Sequence, residues 1–100
     1  MRGLEYKSSY IAHVRNNPWL SFLMEKYTKE EEKFLVMLGN RIREIRTLKG
    51  MTQPHVVALY DAEKAHYCRV ECGKVNPTIN TLKNIALVLQ VPLSELFSLK

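Results

Sequence analysis

The side chains in this sequence that could ligate a metal or act as nucleophiles close to one another are His55, His66, Cys68 and Cys72. A structural zinc site asks for four convergent thiolate or imidazole ligands, and only the two cysteines share one face of a predicted helix. Neither a finger spacing nor a CxxC knuckle is present, so no metal or other cofactor is expected. Two thiols one turn apart on a helix are also poorly placed for a disulfide, and free cysteines follow. A reactive thiolate would need a lowered pKa, which the dipole at a helix C-terminus opposes. The sequence has no Gly-rich phosphate loop, GxSxG elbow or HExxH pair, and its histidines lack a recognisable nucleophile and orienting carboxylate. An enzyme is therefore not the expected reading.

Whatever these residues do, helices must position them. The chain has 100 residues, 46% apolar and 25% charged, with four glycines and four prolines. That balance lies near globular averages, and the length suits one domain with a real core. Apolar residues recur at three- and four-residue intervals without sustained alternation, which predicts an all-α fold. The formal charge of +5 is compatible with a nucleic-acid partner and does not by itself require one. No apolar run approaches the roughly 20 residues that span a bilayer, and no apolar signal segment opens the chain, so a cytoplasmic protein without membrane contact is expected.

Composition divides the chain into an N-terminal aromatic-rich helical extension, residues 1–27, and a compact module, residues 28–100. In the extension Tyr6, Tyr10, Ile11 and Val14 share a helical face, "NNP" breaks it, and Asn17 is positioned to cap a second short helix. That helix carries Trp19, Leu20, Phe22, Leu23 and Tyr27, a density that calls for burial. "TKEE" then reads as a capping box from Thr28 to Glu31. Phe34, Leu38, Ile42, Ile45 and Leu48 mark the inward face of the first module helix, and Gly50 supplies a left-handed stop. Thr52 caps a helix with Val56 and Leu59 inward, tolerating Pro54 in its first turn. A third helix from about Glu63 to Cys72 turns Tyr67 and Val70 inward and ends at Gly73. Thr78 caps a fourth with Ile79, Leu82, Ile85, Ala86 and Leu89, and "VPLSELF" closes the core with Leu93, Leu96 and Phe97.

From Leu38 to about Phe97 the order of caps, apolar positions and breaks resembles the phage repressor and Cro helix-turn-helix family, also called the xenobiotic-response-element (XRE) family. "LGNRIREIRTLKGMTQ" looks like its first helix and the start of its second, and "RVECGKVNPTINTLKNIALVLQVPLSELF" like the end of its recognition helix, the connecting loop and the last two helices. The resemblance implies a five-helix lambda-repressor-like DNA-binding domain in which the third helix reads the major groove. It places Lys64, Ala65, His66, Cys68 and Arg69 toward the bases, with Lys64 and Arg69 able to donate to guanine O6 and N7. Thr52 and Gln53, at a helix N-terminus that favours anions, and Lys74 and Asn76, in the following loop, are assigned to phosphates. It also implies a structural pair between Arg46 and Glu71, with Arg46 able to reach a phosphate as well. The chain departs from the family at Asp61, where Gly is usual in the turn, and at Val57, Tyr60 and Glu63.

The implied function is a sequence-specific transcriptional regulator, a repressor in its simplest form, binding double-stranded DNA as a homodimer because one module buries little surface and half-sites are read in pairs. The alternative is a protein-interaction module such as an antitoxin, with the aromatic extension binding a partner protein.

Overall fold

The computed structural model describes residues 16–60 and 62–99. The helical face expected for Tyr6, Tyr10, Ile11 and Val14, and the turn residue Asp61, lie outside the described residues. Within them are four α-helices, α1 (Pro18–Leu48), α2 (Gln53–Tyr60), α3 (Lys64–Glu71) and α4 (Ile79–Val88), then a 3-10 helix, Leu93–Phe97. The described residues are all-helical, with no strand, and none of their helices is long and apolar enough to cross a membrane. The fifth element of the module is thus a 3-10 turn and not an α-helix. The chain divides into two compact units, 1–31 and 32–100.

Helix α1 starts where the sequence puts a cap. The Asn17 Oδ1 accepts from the backbone N–H groups of Trp19 and Leu20 at 3.1 and 3.2 Å, satisfying two orphan donors of the first turn. It does not stop and restart at Thr28. Instead of capping a new helix, the Thr28 hydroxyl donates back to the Met24 carbonyl at 2.9 Å. A capping box marks an N-terminus only where the preceding residues leave the helix, and here "LMEKYTKEEEK" offers strong helix formers without Gly or Pro. The i,i+4 pair of Glu25 and Lys29 adds slight support. In this unit Trp19, Phe22 and Tyr27 are 67%, 64% and 64% exposed, so the burial their density called for is not met among the described residues.

The core of the second unit comes from every helix of the module: Leu38, Ile42 and Ile45 of α1, Val56 of α2, Tyr67 and Val70 of α3, Leu82, Ile85 and Ala86 of α4, with Leu89 and Leu96 beyond. Each fully buried aliphatic side chain contributes about 1.5–3 kcal/mol relative to exposure. Periodicity overreached at the ends of elements. Phe34, Leu48, Leu59, Ile79 and Phe97 were expected inward and are exposed, because the amphipathic stripe continues past the point where a neighbouring helix covers it. Helix α2 packs on both α3 and α4, and α4 on the 3-10 helix.

Three helices end in the same way. After α1, Gly50 N–H donates to Thr47 and Met51 N–H to Arg46; after α3, Gly73 donates to Val70 and Lys74 to Arg69; after α4, Gln90 donates to Leu87 and Val91 to Ala86. This is the Schellman pattern, which requires a left-handed residue at its pivot. Gly50 and Gly73 supply it at φ 70° and 71°, whereas Gln90 adopts φ 58° with a side chain. The 3-10 turn is fastened by Arg41, whose Nε donates to the Glu95 carbonyl at 2.9 Å and whose Nη2 donates to the Glu95 carboxylate at 3.0 Å.

Candidate nucleic-acid interface

Helix α3 has two chemically different sides, set by the alternation of its sequence "KAHYCRVE". Tyr67, Val70 and Glu71 are buried. On the other side Lys64, Ala65 and Arg69 are exposed and His66 and Cys68 are half-buried. Among the described residues neither Lys64 nor Arg69 is engaged in a salt bridge. The thiols of Cys68, half-buried, and Cys72, exposed, are free. Glu63 holds the N-cap position with extended backbone and makes no side-chain capping bond, which leaves the first-turn N–H groups of α3 without a side-chain acceptor from that residue.

What orients this helix is a polar cluster around one carboxylate. Glu71 is 1% exposed. Arg46 grips it with Nε on Oε2 at 2.7 Å and Nη2 on Oε1 at 3.1 Å, and sends Nη1 to the Met51 carbonyl at 2.8 Å. The structural pair is thus a fork, and the third arm of the same guanidinium pins the turn before α2. With its arms spent this way, Arg46 is poorly placed for the phosphate contact also considered for it. Gln53 Nε2 donates to Glu71 Oε1 at 3.0 Å, so the side chain assigned to a phosphate is turned inward to the scaffold. Burial alone would raise the Glu71 carboxyl, but the hydrogen bonds from Arg46 and Gln53, the nearby Tyr67 hydroxyl dipole and the Arg46 charge outweigh it, and its pKa is lowered. Hydrogen bonding to Glu71 likewise raises the Arg46 guanidinium.

The Tyr67 and Tyr60 hydroxyls are buried without a hydrogen bond of good geometry. Burial first, and then the Glu71 carboxylate, raise the Tyr67 phenol; burial raises Tyr60. Both remain neutral throughout the physiological range.

Thr52 is exposed, and its Oγ1 accepts from His55 N–H at 3.3 Å, the cap expected for α2. Lys74 and Asn76 are exposed in the loop after α3. This loop and α3 come very close to α1. A Cβ at Gly73 would lie 2.7 Å from the Val36 Cα, and one at Gly39 would meet the Glu71 carbonyl and lie 2.6 Å from the Val70 carbonyl. Gly39 thereby lets α1 touch the C-terminal end of α3. One residue of the cluster was not singled out from the sequence: Arg43, whose Nε lies 3.5 Å from Glu71 Oε1. Its signal was spacing, one turn before Arg46 on the same side of α1.

A short helix seated across a preceding helix, with one face buried and the other free, in an all-helical module defines the helix-turn-helix class of DNA-binding proteins. No family model matches the chain. Control protein C.MunI of Mycoplasma sp is 33% identical over 64 residues, which are 63% of this chain and 86% of that protein. The crystal structure of the restriction-modification controller protein C.AhdI from Aeromonas hydrophila superposes with a TM-score of 0.62 at 33% identity, over 63% of this chain and 96% of that one. An HTH_3 family transcriptional regulator from Vibrio cholerae superposes with a TM-score of 0.64 at 28% identity, over 68% of this chain and 38% of the regulator. The chain belongs to the controller-protein family of helix-turn-helix regulators.

Proposed function

We propose that this protein is a sequence-specific DNA-binding transcriptional regulator, not an enzyme, and that it reads the major groove with α3. The observation that carries the reading is the two-sided recognition helix: Tyr67, Val70 and Glu71 fix it to the scaffold while Lys64, Ala65, His66, Cys68 and Arg69 stand on the side open to a ligand. Lys64 and Arg69 have the donors to recognise guanine edges, and Lys74, Asn76 and Thr52 flank them as backbone contacts. Gln53 acts through its backbone N–H, its side chain being held by Glu71.

The finer proposal is a homodimeric repressor. A single helix of eight residues covers too few base pairs for operator-level specificity, and two copies reading half-sites about one helical turn apart supply it. The exposed Trp19, Phe22 and Tyr27 offer such a pair of copies an apolar surface. The C.AhdI relative is a restriction-modification controller protein, and by this family tie the genes proposed for regulation are those of such a system. Binding-site selection from random duplexes tests the first reading: an enriched motif with a two-fold repeat is expected, and no enrichment at moderate salt would overturn it. Sedimentation of the full chain tests the second, for which a monomer at micromolar concentration is the contrary result.

A further inference from the structure

Glu71 has more cationic neighbours than one negative charge can use. Arg46 neutralises it through two short hydrogen bonds, and Gln53 supplies another donor to the same Oε1 that faces Arg43. Arg43 is left with a long 3.5 Å approach through Nε alone, and its side chain is 47% exposed. Among the described residues, its two Nη groups, the paired donors of the guanidinium fork, have no hydrogen-bond partner. The cluster of Arg43, Arg46 and Glu71 therefore carries one surplus positive charge, at the surface, on the residue with free bidentate donors.

The position of this charge matters. Arg43 Nε and Gln53 Nε2 address the same oxygen atom, so the guanidinium stands beside the first residue of α2. Arg46 could turn outward only by leaving the buried Glu71 carboxylate without its paired donors. Arg43 can turn outward without that penalty, because Glu71 keeps Arg46 and Gln53.

We infer that Arg43 is an additional phosphate-binding residue, gripping the DNA backbone next to the start of α2 through Nη1 and Nη2 while Arg46 remains with Glu71. The inference rests on the DNA-binding reading above. A phosphodiester offers the fork two oxygens in one plane, the geometry in which charge-assisted hydrogen bonds shorten to about 2.7–2.9 Å. The contact carries register and affinity, not base choice.

The test uses the full-length protein and a short random-sequence duplex, with anisotropy titrations over a series of salt concentrations. Arg43→Gln is expected to lower the slope of log affinity against log salt by about 0.9, which at about 0.1 M salt is roughly an eightfold loss. Arg43→Lys, which keeps the charge, is expected to keep the slope. If Arg43→Gln is unfolded at the assay temperature, the slope is read from Arg43→Met, which retains the aliphatic stem. A wild-type slope in the neutral variant would overturn the inference and leave Arg43 as a neighbour of Glu71 alone, with DNA binding itself intact. A wild-type protein without salt-dependent affinity would overturn the DNA-binding reading as well.

Discussion

Arg46 and Glu71, 25 residues apart in the chain, are joined by two hydrogen bonds of 2.7 and 3.1 Å that fix the end of α3 to α1. The guanidinium is the orienting group and the carboxylate its anchor on α3.

Breaking this pair from one side leaves a buried charge. Arg46→Met is expected to cost about 3–5 kcal/mol, while a double variant with Glu71→Leu recovers much of that loss because neither charge is then stranded. Urea unfolding of the two singles and the double gives the coupling directly. Additive effects would show that Arg46 acts through Met51 and not through Glu71.

The same carboxylate sets a pH dependence. Its folded pKa lies below its ordinary 4.5, so the stabilisation it contributes is complete above that value and is lost as pH falls through the lower, folded one. Acid unfolding of Glu71→Gln should accordingly be less steep below pH 4.5 than that of the wild type. Parallel acid limbs would assign the titration to other carboxylates.

Gly39→Ala drives a methyl group into the carbonyls of Val70 and Glu71. These are backbone atoms at a helix end and yield little, so a loss of about 3 kcal/mol is expected, at the upper end of ordinary overpacking. Thermal melting reads it, and an unchanged midpoint would mean that α1 and α3 can separate freely.

Gln90 sits at φ 58° at the pivot of the α4 terminus. A side chain in this region costs roughly 1–2 kcal/mol, which glycine avoids at some entropic expense. Gln90→Gly should therefore stabilise the module by about 0.5–1 kcal/mol in denaturant unfolding, and a destabilised variant would show that the Gln90 side chain makes a compensating contribution.

On the DNA side, Arg69→Ala is expected to relax base preference in a selected operator, at about 1–3 kcal/mol for the affected position. Lys74→Ala should weaken all sequences alike and lower the salt slope by about one unit. If both substitutions acted equally on every sequence, the proposed division between base and backbone contacts would fail.

Much of this architecture was legible in residue order, for reasons that are local. Asn17, Thr52 and Thr78 cap helices, and Gly50 and Gly73 end them, because each supplies a backbone or hydrogen-bonding property few residues share. The inward set Leu38, Ile42, Ile45, Val56, Tyr67, Val70, Leu82, Ile85 and Ala86 followed from period. The failures came from elsewhere. Thr28 carries every letter of a capping box inside a continuous helix, since the signal depends on what precedes it. Leu48, Leu59 and Ile79 obey the period yet lie where no neighbour reaches. Gln53 is an expected phosphate contact by its place at a helix N-terminus, while its carboxamide is claimed by a glutamate eighteen residues on. Such competition between partners depends on tertiary placement, which spacing cannot encode.

Arg41 holds the Glu95 turn from a position 54 residues earlier, and on the ribosome this order sets a delay. At about 5–20 residues per second, roughly three to ten seconds separate synthesis of the clasp from synthesis of its catch. Through that interval Leu96, which closes the core, has not yet emerged, so the nascent module waits with its apolar interior uncapped.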